Sequence, residues 1–140
     1  MAIEDLPIIN TEVDGVNIFK EGKEFLNRYK FIQFYLGDQA YLRVGATYHK
    51  DILIGFLDEC NQAGLDVATA EYIDELKRLD PQYSYHRQEG NVLFDTDKYK
   101  IAGAGHIFIV TTFKEIKFDS RSMFLDIGID RRHVEAIKQY

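Results

Sequence analysis

RYKFIQFYLGDQAYLRVGATYHKDILIGFLDEC, residues 28–60, carries two different periodicities in one uninterrupted run. As far as Gly45 it consists of two apolar, aromatic-rich stretches separated by Gly37-Asp38, a pair suited to a tight turn with the glycine first, and it predicts a β-hairpin. From Thr47 the period changes. His49, Ile52, Leu53, Phe56, Leu57 and Cys60 fall at the three- and four-residue steps of a helix, with Thr47 as its N-cap and Gly64 as its stop.

Downstream, the pattern predicts a shorter helix from Thr69 that buries Ile73, Leu76 and Leu79 and ends at Pro81, where the backbone ladder cannot continue. YSYHR, NVLFD, HIFIVTTF, EIKFD and SMFLDI then read as strands, punctuated by turn-forming residues that include Gly103-Ala104-Gly105. A last helix is expected from about Asp130 to the end. Strands, two helices, strands and a helix do not make the alternation of a parallel doubly wound sheet. The expectation is one α+β domain over residues 1–140, with a largely antiparallel sheet and about three helices packed mainly on one face.

Composition supports a folded chain. It has 140 residues, 46% of them hydrophobic and 14% aromatic, which suffices for one buried core. A net charge of −6 opposes general nucleic-acid binding, which rests on a basic face that releases counterions. Cys60 is the one cysteine, so an intramolecular disulfide and a cysteine-rich zinc site are both excluded. The acidic start MAIEDLPIINTEVDG lacks the basic-then-apolar pattern of a signal peptide, and no apolar stretch approaches the roughly 20 residues that span a bilayer. The expectation is a cytoplasmic protein without membrane association.

The corner at Gly45 has an echo near the C-terminus. Tyr41-Leu-Arg-Val-Gly45 and Phe124-Leu-Asp-Ile-Gly128 share an aromatic, a leucine, a β-branched residue and a glycine in register. Each is followed by a cap candidate, Thr47 or Asp130, and then by a histidine, His49 or His133, in the first turn of a helix. A helix start disfavours an imidazolium and favours anions, so His49 is expected to be neutral and able to act as base, nucleophile or acceptor. Arg131 and Arg132 stand at the helix end where cations are least favoured, with Ser120 and Ser122 just upstream. A bound anion would account for that placement. The plainer alternatives are that His49 hydrogen-bonds within the core and that the two arginines are solvated.

YHKDI, residues 48–52, resembles the YHxDI stretch that carries the catalytic histidine of the Janus/Ocnus family of small phosphohistidine phosphatases, compact α+β proteins. Gly103-Ala-Gly-His-Ile107 is similar to the family's GGGRI turn, and Lys114-Glu-Ile-Lys-Phe118 with Ser122-Met123 resembles its KKI strand and Ser-Met loop. The chain departs from the family in a longer connection between histidine helix and glycine segment, in lacking the aromatic-glycine pair after Ser-Met, and in His106 where the family has arginine. The resemblance implies His49 as general base or phosphoryl acceptor, with Gly103, Gly105, Ser122 and neighbouring N–H groups holding phosphoryl oxygens, and no metal or cofactor.

Other motifs are weak. The four histidines have no partner three or four residues away, so no metal site is expected. Asp95-Thr96-Asp97-Lys98 reads as a turn, and Cys60 as a buried, inert thiol. Tyr29, Phe31, Phe34, Tyr35, Tyr41, Tyr83, Tyr85 and Tyr99 serve either as cross-strand pairs or as an outward aromatic face for a partner or a homodimer. The leading expectation is a binding or regulatory module that holds a protein partner or a small anionic, phosphorylated ligand. The alternative is a metal-independent phosphohistidine phosphatase centred on His49.

Overall fold

The computed structural model describes residues 6–10, 12–13, 16–17, 26–83, 96–110, 115–119, 121–122, 124–125 and 127–137. In chain order the elements are β1 (Ile9–Asn10), β2 (Glu12–Val13), β3 (Val16–Asn17), β4 (Leu26–Leu36), β5 (Gln39–Gly45), α1 (His49–Gln62), α2 (Ala70–Arg78), β6 (Lys100–Val110), β7 (Glu115–Asp119), β8 (Arg121–Ser122), β9 (Ile127–Gly128) and α3 (Arg131–Ile137). The fold is α+β. Its main sheet has the order β1-β5-β4-β6-β7 and is antiparallel except for the β1–β5 pair. The small pairs β2–β3 and β8–β9 accompany it.

The expected hairpin forms as β4 and β5, closing on Leu36↔Gln39 around Gly37-Asp38, where Gly37 takes a φ of 57° that suits a residue without Cβ. Strand β4 lies at the middle of the sheet and is covered on both sides, which is why FIQFY shows no simple apolar-polar alternation. Ile32 and Phe34 join the core under α1 and α2, with Leu53, Phe56, Leu57, Cys60, Ile73 and Leu76. Phe31 belongs to a second core with Leu42, Val44, Ile107 and Ile137 of α3. Two helices therefore cover one face of the sheet and the third covers part of the other.

Local chemistry sets the helix ends. Helix α1 starts one residue later than Thr47 predicts. Tyr48 is the N-cap residue and provides no side-chain cap, while Thr47 Oγ1 donates to Asp51 Oδ2 at 2.8 Å. At its far end Leu65 N–H reaches the Cys60 carbonyl (2.9 Å) and Gly64 N–H the Asn61 carbonyl (3.1 Å), with Gly64 at φ 85°. These are the paired bonds of a Schellman stop. Helix α2 is capped by Thr69, whose hydroxyl accepts from Tyr72 N–H, and it ends at Arg78, before Pro81. The Lys50 ammonium donates to the Lys77 and Leu79 carbonyls, each at 2.9 Å, and so ties the end of α2 to the start of α1.

Three expectations change. Gly103-Ala104-Gly105 is not a break but the interior of β6. SMFLDI is not a strand: Phe124 and Leu125 form a turn between the two-residue strands β8 and β9. Of the two readings of the aromatic residues, internal packing holds for Phe31, Phe34, Tyr41 and Tyr99, which are buried, while Tyr29 and Tyr35 are half-buried and Tyr83 is exposed. Tyr85, NVLFD and the rest of YSYHR lie outside the described residues, as does the end of HIFIVTTF beyond Val110.

Gly103 has a specific role on the α3 face. The fully buried Gln33 carboxamide pairs with the backbone of Asp130, Oε1 accepting from Asp130 N–H at 2.8 Å and Nε2 donating to Asp130 O at 2.9 Å. A Cβ on Gly103 would lie 2.1 Å from Gln33 Oε1 and 2.7 Å from both Asp130 N and Gly128 O. Only a bare backbone admits this packing. Gly103→Ala should therefore lower stability by about 1–3 kcal/mol through overpacking. In α1, a Cβ on the exposed Gly55 meets nothing within 4 Å, and Gly55→Ala should raise stability by about 0.5–1 kcal/mol through helix propensity. Denaturant unfolding of both variants checks this opposition in sign.

Candidate functional site

Helix α1 follows β5, yet its first residue reaches past β4 to β6. His49 Nε2 lies 2.8 Å from the Gly105 carbonyl oxygen. A carbonyl only accepts, so Nε2 carries the proton and Nδ1 carries the lone pair. The side chain is 6% exposed. Its pKa falls from 6.5 to about 4, chiefly because burial penalises the charged ring. The Gly105 carbonyl opposes the shift, and His106 and Lys30 add to it. The neutrality expected from the sequence thus holds, but burial rather than the helix dipole leads among its causes.

The ring borders a cleft of about 590 Å³. Lys30 of β4, His106 of β6, Arg121 of β8 and His49 line its polar part, with Tyr48, Phe124, Pro81 and Gln82 completing the wall. Lys30 and His106 are directly opposed in the β4–β6 register, and the His106 ring stands 5.8 Å from that of His49 at 79°. The Lys30 ammonium donates to the Thr47 carbonyl and lies 5.5 Å from the centre of the Tyr48 ring, which holds it beside the start of α1. No carboxylate is among the described residues that line it. In a chain of net charge −6, the described residues that line the cleft are basic or neutral.

The expected site residues are dispersed by the fold. His49 and Gly105 meet, Gly105 through its carbonyl rather than an N–H group. Gly103 faces Gln33 and Asp130 on the opposite side of the sheet. Ser122 is buried, and its hydroxyl accepts from Leu125 N–H at 3.1 Å to close the β8–β9 turn. Arg131 and Arg132 are exposed at the start of α3 and do not line the cleft. The amides beside them are already satisfied, since Asp130 Oδ1 accepts from Arg132 N–H (2.9 Å) and His133 N–H (3.2 Å). Ser120 lies outside the described residues.

The two histidine corners do not share a site. His133 is fully buried on the α3 side with Nε2 3.0 Å from the Phe34 carbonyl oxygen, and burial likewise lowers its pKa. What repeats is a structural device, in which a helix-start imidazole donates to a carbonyl of an inner strand. Cys60 is also buried, and its thiol is pushed up to about 12, mainly by burial.

Lys30, Tyr48, His106, Arg121 and Phe124 were not singled out from the sequence as ligand contacts. The available signal was register: a lysine and a histidine on strands whose other residues are mostly apolar mark one end of the sheet as polar. Among the described residues no three His, Cys, Asp or Glu side chains cluster as a metal site, and no helix is long and apolar enough to cross a membrane. Compared with protein-family models, with curated proteins and with solved structures, the chain has no match in any of the three.

The folded His49 ring binds its second proton near pH 4, while an unfolded imidazole does so near 6.5. Unfolding therefore takes up protons between those values. The stability that His49 contributes is fully present above about pH 6.5 and is lost as pH falls through about 4. Nitrogen-detected NMR should show an Nε2–H tautomer that persists to about pH 4, and His49→Gln should flatten the acid limb of stability, with the remaining slope coming in part from His133.

Proposed function

We propose that the cleft beside His49 binds an oxyanionic ligand, a phosphoryl group in particular. One observation carries this reading: two permanent cations and two imidazoles converge on one cavity, with no carboxylate among the described residues that line it. Lys30 offers a point charge, Arg121 a planar fork, and the imidazoles short directional contacts. Tyr48 and Phe124 provide an apolar wall for whatever carries the anion, in a cavity of the size usual for small-molecule sites.

A second reading, a metal-independent phosphohistidine phosphatase, draws support from the convergence of separated pieces. The histidine of YHKDI and the carbonyl of Gly105 in GAGHI are hydrogen-bonded, and Arg121, next to Ser122, borders the same cavity. His49 Nε2–H is committed to Gly105, so the lone pair of Nδ1 is the group left for chemistry. It would take the proton of a water that attacks phosphorus as the substrate P–N bond breaks, or itself bond phosphorus as that bond breaks and be freed by water in a second step, the departing imidazole in either case taking a proton from solvent.

Inorganic phosphate titrated into the labelled protein should shift the amide signals of Lys30, Tyr48, His106 and Arg121, and Arg121→Gln should weaken binding about tenfold or more, the worth of one charge-assisted contact. Shifts confined to Arg131 and Arg132, or none at all, would overturn the binding reading. The phosphatase reading expects phosphate release from a histidine-phosphorylated peptide by the wild type and none by His49→Ala. Binding without release leaves the non-catalytic module.

A further inference from the structure

We infer that the oxyanion is borne directly on an aromatic ring, so that the ligand class of this cleft is an aryl phosphate whose ring lies against Tyr48. The inference rests on the oxyanion reading above and names what carries the charged group.

A cleft of about 590 Å³ is of the size that encloses a small organic molecule, and a bare phosphate would leave most of it to water. Beyond the basic and imidazole groups, the described residues on its wall are Tyr48, Phe124, Pro81 and Gln82. Gln82 is the one carboxamide, and no aspartate, asparagine, serine or threonine joins it among the described residues there. The hydroxyl groups of a sugar lose water on entry and need new partners, of which this wall supplies few. An apolar carrier has no such need and gains from leaving water.

Tyr48 decides between a flat ring and an aliphatic chain. It is 39% exposed, one of the large apolar side chains that the described part of the molecule leaves open to solvent. Although it is the N-cap residue of α1, its side chain makes no cap hydrogen bond, so the ring does not serve the helix start. The Lys30 ammonium lies 5.5 Å from the centre of this ring and donates to the Thr47 carbonyl, and Lys30 and Tyr48 line the same cavity. A cation and an aromatic platform are thus neighbours on one wall. A ligand ring at the usual centre-to-centre separation of about 4.5–7 Å from Tyr48 brings an anion bonded to that ring within reach of Lys30. A long flexible spacer between ring and anion would lose that coincidence. The same ammonium attracts the face of a second ring as it does the first, which an aliphatic carrier does not exploit. Phe124 is 2% exposed and adds bulk to the wall rather than an open face.

Titrations at about pH 8, where phosphate and its monoesters are all close to dianionic, compare inorganic phosphate, cyclohexyl phosphate and phenyl phosphate. Phenyl phosphate should bind about tenfold or more tighter than phosphate, and about threefold or more tighter than cyclohexyl phosphate, its saturated counterpart of similar size. Tyr48→Ala should remove both preferences while changing the affinity for inorganic phosphate by no more than about twofold, and Tyr48→Phe should keep them. Phenyl phosphate no tighter than either competitor, or preferences unchanged in Tyr48→Ala, would overturn the inference. An equal loss of phosphate and phenyl phosphate binding in Tyr48→Ala would also overturn it, since the ring would then act only by holding Lys30. Each of these outcomes leaves the oxyanion reading intact. A phosphotyrosine peptide separates the two sources of such a ligand: it should bind at least as tightly as phenyl phosphate if the source is a protein side chain and more weakly if it is a small molecule, and either result upholds the class. Failure of all the compounds to bind would overturn the oxyanion reading itself.

Discussion

The hydrogen bond from His49 Nε2 to the Gly105 carbonyl organises the end of the sheet that carries the cleft. It links the first residue of α1 to a strand that is not the neighbour of the one preceding the helix, because β4 lies between β5 and β6. The bond fixes the tautomer and seats the start of α1 over the sheet, so that Tyr48 borders the cavity beside Lys30 of β4. Burial of an uncharged, donating imidazole is tolerable because its N–H is satisfied. An imidazolium at the same place would be strongly disfavoured.

The same device operates on the other face with a different outcome. There His133 donates to Phe34, Gln33 grips the backbone of Asp130, and Gly103 leaves room for both loop and carboxamide. Asp130 caps α3 itself, so the helix start is satisfied from within. Thus one corner is closed by its own polar groups and the other opens on a cavity. Their sequence similarity reflects a shared way of seating a helix on a sheet, and their surroundings differ: His49 borders a cavity, while His133 is fully buried.

Electrostatics separates the cleft from the molecule around it. Acidic residues predominate over the chain, yet the described side chains that line the cleft with His49 are basic or neutral. By contrast the buried guanidinium of Arg43 is spent on structure. It donates to Glu59 at 2.8 Å and lies 4.9 Å from the centre of the Phe56 ring, fastening α1 to β5. Lys50 likewise serves the end of α2. Arg43 and Lys50 thus tie neighbouring elements together, whereas Lys30 and Arg121 come to one cavity from separate strands.

The hairpin around Gly37-Asp38, the stripe of α1, its stop at Gly64, the Thr69 cap and the Asp130 cap were legible in the sequence because each depends on residues within a few positions of one another. Gly103-Ala104-Gly105 was misread because glycine marks both turns and close approaches. The decisive neighbours here are Gln33 and Asp130, which are 97 positions apart. The α+β class and the neutral character of His49 followed from the sequence alone. That Lys30, His106 and Arg121 share a cavity with it, while Arg131 and Arg132 do not, was decided only by strand order and register, since contacts across a sheet join residues whose separation along the chain carries no local signal.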